Sequence, residues 1–140
     1  MKILPANPPA QELPLYTQRV SAGFPSPADD YLAKPLDLHQ HLVQHPAATF
    51  FIRAVGESMR DIGIYNGDLL IVDNALTPRS GDVVIAAIDG QLTCKILDTR
   101  LRRLVAANPS YPPICLNSDA DLIIEGVVCA SVRYHRERSV

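Results

Sequence analysis

At 140 residues the chain has room for one compact domain and too little for two of ordinary size. Apolar residues make up 47% and charged residues 20%, with a formal net charge of -2. A packed core is therefore expected. Disorder is disfavoured, and so is binding through nucleic-acid phosphates, which calls for a basic excess.

The N-terminus starts with Lys2-Ile3-Leu4, but prolines 5, 8, 9 and 14 and Glu12 interrupt any apolar stretch. Without an apolar h-region, secretion is not expected. No run approaches the ~20 apolar residues of a membrane span. Six of the 12 prolines fall within residues 1–30. Proline lacks the N–H that helices and inner strands use, so residues 1–30 read as an extended or loop-like arm. Residues 31–140 read as the folded domain. Leu36 to Val43 has the pattern of a short helix, with Asp37 near its first turn.

From residue 48 the chain becomes short apolar runs separated by turn signals. Thr49 to Val55 is rich in aromatic and β-branched residues and ends at Gly56. Gly67-Asp68 introduces Leu69 to Val72, a continuous apolar run suited to a buried strand. Gly81-Asp82 introduces Val83 to Ile88, and Asp89-Gly90 joins that run to Gln91–Leu97. Asp-Gly between two such runs predicts a hairpin with a type I′ turn, which sets Val84 opposite Lys95. Arg103–Ala107 and Leu122–Val132 complete the set. The expected fold is mostly β, with strongly curved sheets and no internal repeat. The C-terminal run Arg133 to Arg138 is basic, and reads as a solvated tail or a contact strip for an acidic partner.

Cys94, Cys115 and Cys129 form no metal-binding spacing, and an odd count without a secretory signal fits a reducing cytoplasm. Cys94 and Cys129 lie in apolar runs and are expected to be buried thiols. His39, His41, His45 and His135 lie outside the strand-like runs. They suggest neither a Ser-His-Asp triad nor a zinc site, and surface or partner contacts are expected of them. No cofactor is expected.

Gly56-Glu57-Ser58-Met59 places a serine just past a strand end, where neighbouring backbone N–H groups can converge on one point. The same four residues also read as an ordinary turn. With no histidine available, lysine is the other known activator of serine. Lys95 is the only lysine in the β-rich part. In an apolar setting its charged form loses hydration, so it can act as a neutral base. It also reads as a solvent-facing lysine on an alternating strand. Val20-Ser21-Ala22 followed by Gly23 offers small alternate side chains to adjacent shallow pockets. The same residues also read as a flexible hinge.

Taken together, these residues resemble the UmuD/MucA proteins of bacterial SOS mutagenesis, relatives of the LexA and phage-repressor peptidase domains. The resemblance runs from about Val20 onward. It rests on Ala22-Gly23-Phe24-Pro25-Ser26-Pro27, Gly56-Glu57-Ser58-Met59, Asn66 to Asp73, Gly81 to Gly90, and Lys95. The spacing agrees, with 36 residues from Ala22 to Ser58 and 37 from Ser58 to Lys95. The resemblance implies a LexA C-terminal-like, signal-peptidase-like β-rich fold. It implies Ser58 as nucleophile, Lys95 as general base and Ala22-Gly23 as the scissile bond. It further implies stimulation by a RecA filament on single-stranded DNA, a homodimer, and a UmuC-type Y-family polymerase as partner in translesion synthesis. UmuD itself has cysteine where Ala22 stands, and LexA-like relatives have alanine; both are small. Three rival readings are a LexA-like repressor, a signal peptidase and a catalytically silent polymerase accessory module. About 20 residues before the cleavage motif are too few for a helix-turn-helix domain. A signal peptidase would need a membrane anchor, and the intact Ser58 and Lys95 argue against a silent module.

Overall fold

The computed structural model describes residues 10–16, 19–23, 33–116 and 122–137. They belong to two compact units, 1–44 and 45–140.

In the first unit, β1 (Glu12–Tyr16) pairs antiparallel with β2 (Ala33–Asp37). The sequence reading anticipated extended chain over β1, within the arm, but neither β2 nor the ladder, and Leu36 and Asp37 lie in β2 rather than in the expected helix. Pro14 stands opposite Pro35. A two-stranded ribbon tolerates this because each strand has a free edge, where a missing donor leaves no partner unsatisfied. The expected short helix is α1 (Leu38–Leu42), and Asp37 caps it by accepting from the Gln40 amide at 3.1 Å.

The second unit is built on one antiparallel sheet of seven strands. In chain order they are β3 (Thr49–Arg53), β4 (Leu69–Asp73), β5 (Val83–Ile88), β6 (Gln91–Asp98), β7 (Arg103–Val105), β8 (Ile114–Cys115) and β9 (Leu122–Val132). Their order across the sheet is β3-β4-β9-β5-β6-β7-β8. The fold is the LexA-like β-rich one expected from the sequence. The β5–β6 hairpin also has the predicted register, with Val84 opposite Lys95. Asp89 and Gly90 both take positive φ, 49° and 82°, as a type I′ turn demands.

Alternation along β5 feeds two cores. Ile85 joins Met59, Ile64, Leu70, Val72 and Ala107, while Val84 and Ala86 join Leu97, Leu104 and Val127. Burying both faces explains why β4 and β5 read as continuous apolar runs.

The 11-residue β9 lies between β4 and β5 and is bulged against each. Ile71 faces Ala130 while Val72 faces Val128, so Cys129 is unopposed. Ile85 faces Gly126 while Ala86 faces Ile124, so Glu125 is unopposed. Bulges of this kind bend and twist the sheet. They also correct one expectation: Cys129 is exposed rather than buried. Between the two bulges the backbones approach closely. A Cβ on Gly126 would lie 2.6 Å from Val72 Cγ1 and 3.2 Å from the Asp73 carbonyl oxygen.

The basic C-terminal run begins docked rather than solvated. The Arg133 guanidinium stacks 3.9 Å from the centroid of the Tyr65 ring and pairs with buried Asp68 at 3.1 Å. It also donates to the Gly63 carbonyl. Among the described residues, no helix is long and apolar enough to cross a membrane.

Candidate active site

Ser58 and Lys95 come from opposite sides of the sheet's central strand. Ser58 follows β3 and Lys95 lies on β6, with β4, β9 and β5 between. Four strand spacings in a flat sheet would span about 19 Å. Lys95 Nζ nevertheless donates to Ser58 Oγ at 3.1 Å. The bulged, curled sheet closes that gap.

The loop that carries Ser58 is fixed locally. Gly56 takes φ +88°, a region L side chains rarely adopt, and so turns the chain sharply out of β3. The Gly56 amide donates to Asn66 Oδ1 at 2.9 Å. Met59, 3% exposed, then drops into the first core and anchors the residue after the serine. Ser58 itself is half-buried.

Lys95 is 8% exposed, and Val84 opposite it is fully buried. Of the two readings left open by the sequence, the buried one holds. Its ammonium has three partners: Thr93 Oγ1 at 2.8 Å, the Cys94 carbonyl at 3.1 Å and Ser58 Oγ at 3.1 Å. Burial lowers the Lys95 pKa from 10.5, opposed only by the neighbouring Cys94 sulfur. Burial pushes the Cys94 thiol up to about 11, so it stays uncharged at neutral pH.

Both side chains line a cavity of about 220 Å³. Its remaining wall is mainly apolar, with Ile52, Ala54, Ile64, Leu70, Ile85 and Leu92. A site of this kind accepts small apolar groups.

Ala22 and Gly23 belong to the first unit, where both are exposed at a bend. Phe24 to Pro27, also quoted in the resemblance, lie outside the described residues. The histidines differ from one another. His39 and His41 are exposed on α1, whereas His45 Nδ1 lies 2.6 Å from Oδ2 of buried Asp73. Burial raises the Asp73 pKa, but the His45 contact and the Ala75 amide outweigh it and hold the carboxyl below its ordinary value. A carboxylate-oriented histidine is thus present, yet the side chain bonded to Ser58 is Lys95.

The sequence reading missed Asn108. It is 6% exposed and donates from Nδ2 to the Glu57 carbonyl at 2.9 Å. An Asn-Pro pair reads only as a turn, and this contact crosses 51 residues of chain.

The sequence matches the Peptidase S24-like family over residues 14–129. It is 45% identical over 139 residues to protein SamA of Salmonella typhimurium, covering 98% of this chain and 96% of that one. It is 43% identical over 125 residues to protein MucA of Escherichia coli, covering 88% and 86%. It is 37% identical over 135 residues to the LexA repressor of Pseudomonas chlororaphis, covering 91% of this chain and 64% of the repressor. The chain therefore belongs to the Peptidase S24-like family of serine peptidases, as a UmuD/MucA-like member.

Proposed function

We propose that this protein is a self-cleaving Ser/Lys peptidase of the SOS response that cuts its own arm between Ala22 and Gly23. The observation that carries the reading is the set of three partners around Lys95 Nζ. A neutral amine has two N–H donors and one lone pair. Thr93 Oγ1 and the Cys94 carbonyl take the two donors. The lone pair is then directed at the Ser58 hydroxyl, as a general base requires.

In the mechanism, residues 1–30 form the arm and residues 31–140 the peptidase domain. Ala22 enters the apolar cavity. Ser58 Oγ attacks the Ala22 carbonyl as Lys95 takes its proton, and backbone N–H groups around Ser58 stabilise the oxyanion. Lys95 then protonates the Gly23 amine as it leaves. Water attacks the acyl-enzyme, releases the arm and restores the serine.

Unassisted cutting is slow, because Lys95 must lose its proton and the arm must adopt a cleavable pose. A RecA filament on single-stranded DNA raises the population of that pose. The trimmed chain, from Gly23 onward, forms a homodimer and serves a UmuC-type Y-family polymerase in translesion synthesis. The family membership and the SamA and MucA likenesses support this role.

The test is to incubate the purified protein with RecA, single-stranded DNA and a nucleoside triphosphate, then weigh the products. Wild type should yield a fragment starting at Gly23. Ser58→Ala and Lys95→Ala should each cut at least ~10³-fold more slowly. A different new N-terminus, or unchanged cutting in either variant, would overturn the assignment. A wild type that never cuts would instead favour a silent polymerase accessory module.

A further inference from the structure

We infer that Asn108 is a positioning residue of this site, holding the Glu57–Ser58 peptide so that the Ser58 N–H faces the oxyanion. The inference deepens the reading of Ser58 as nucleophile and rests on it.

Asn108 begins a tight turn, Asn108-Pro109-Ser110-Tyr111, closed by the Tyr111 amide donating to the Asn108 carbonyl at 3.1 Å. Asparagine at the first position and proline at the second suit a type I turn. The side chain has little freedom within it. Oδ1 accepts from the Ser110 amide at 3.0 Å, which fixes which end of the amide is oxygen. Nδ2 is thereby aimed at the Glu57 carbonyl, 2.9 Å away. The Glu57 carbonyl accepts a second bond from the Arg60 amide at 3.3 Å. One residue along, the Asp61 amide donates to the Ala107 carbonyl at 2.8 Å, tying the same two loops again.

In a trans peptide the C=O and N–H point in opposite directions. Holding the Glu57 oxygen toward Asn108 therefore turns the Ser58 N–H to the other side of the loop. Ser58 lines the cavity and Asn108 does not. Among the described residues, the Ser58 N–H donates to no protein acceptor. It is a fixed donor with an unused hydrogen.

The reaction needs such a donor. As Ser58 Oγ bonds to the Ala22 carbonyl carbon, the π electron pair moves to the carbonyl oxygen and the Oγ proton passes to Lys95 Nζ. The new charge sits on that oxygen until the C–N bond breaks. If the Glu57–Ser58 peptide were flipped, a carbonyl dipole would face the oxyanion and repel it. The Asn108 donor opposes that flip.

Asn108→Asp keeps the shape and the acceptor for the Ser110 amide, but sets a carboxylate oxygen against the Glu57 carbonyl. Asn108→Ala merely removes the donor. Self-cleavage of the full chain should slow about 10²-fold in Asn108→Asp and about 10-fold in Asn108→Ala. The midpoint of the pH–rate profile should not move, because Lys95 keeps its partners. A second readout separates oxyanion stabilisation from the dyad. With Ser58→Cys, alkylation by iodoacetamide needs a thiolate but forms no oxyanion, so adding Asn108→Ala should leave its rate unchanged. Wild-type cutting in both Asn108 variants would overturn the inference. So would a shifted pH midpoint, or alkylation and cutting falling together, since either places the effect on Lys95 or on the whole fold. Should Asn108→Asp fail to fold, Asn108→Ala carries the same test. Absence of cutting in wild type would instead overturn the Ser58 assignment beneath it.

Discussion

The β1–β2 ribbon and the seven-stranded sheet share antiparallel pairing but are held by different forces. Every residue of β1 is exposed, with Leu13 at 69% and Tyr16 at 68%. In the sheet, Leu70, Val72, Val84 and Leu104 are at 0–1%. The ribbon rests on its backbone ladder, whose bonds are worth little net in water, while the sheet rests on buried apolar area. Two strands alone are marginal, and a curled sheet with two cores is not. The proposed cut falls in the marginal unit and the proposed chemistry in the rigid one.

Substitutions can break or sharpen that contrast. Leu104→Ala removes a fully buried side chain and should cost about 2–5 kcal/mol, read from the urea midpoint. Gly126→Ala should cost about 1–3 kcal/mol, since its Cβ would press on Val72 and the Asp73 carbonyl. Calorimetry should place that loss in the sheet unit. Lys95→Met should act in the opposite direction. It replaces a lysine whose charged form burial disfavours with an apolar chain of similar length, and should add about 1 kcal/mol below the folded pKa of Lys95 while abolishing cutting at any pH. A loss of stability there would show that the three hydrogen bonds outweigh the burial of charge. Leu15→Ala on β1, where Leu15 is 47% exposed, should change stability by less than about 0.5 kcal/mol. A loss as large as that for Leu104→Ala would erase the contrast.

pH offers an independent check. The folded pKa of Lys95 lies below its ordinary 10.5. Between those two values the unfolded chain binds more protons, so this group's contribution to stability rises with pH across that window. Its penalty is fully present below the folded pKa. The cutting rate should climb about tenfold per pH unit below the folded pKa and level off above it. Stopped-time assays by mass would trace the profile, and a flat one would exclude a titrating lysine base.

Much of the sheet was legible because its signals are local. The Asp89-Gly90 turn and the apolar runs around it determine the β5–β6 register, and that register sets Lys95 opposite Val84. What stayed hidden depends on contacts remote in sequence. The β1–β2 ladder was masked by Pro14, which reads as a breaker unless a free edge is known. Cys129 reads as buried because it lies in an apolar run, but a bulge leaves it unopposed. His45 meets Asp73 across 28 residues and Asn108 meets Glu57 across 51, and neither pair has a local pattern. The nearness of Ser58 and Lys95 followed from resemblance, because no property of either segment encodes the curl between them.

The proposed scissile bond has one further consequence through its place between the two strands of the ribbon. Ala22 and Gly23 lie in the connection between β1 and β2. While that connection is whole, β1 stays near β2 at an effective concentration on the order of millimolar. Hydrolysis would make the same pairing bimolecular, at whatever dilution the cell imposes. A ladder with no buried side chain on β1 would not survive that change. The severed strand would diffuse away and leave β2 with an unpaired row of N–H and C=O groups. Peptide hydrolysis would thus become an irreversible loss of avidity, uncovering backbone that the intact chain keeps occupied.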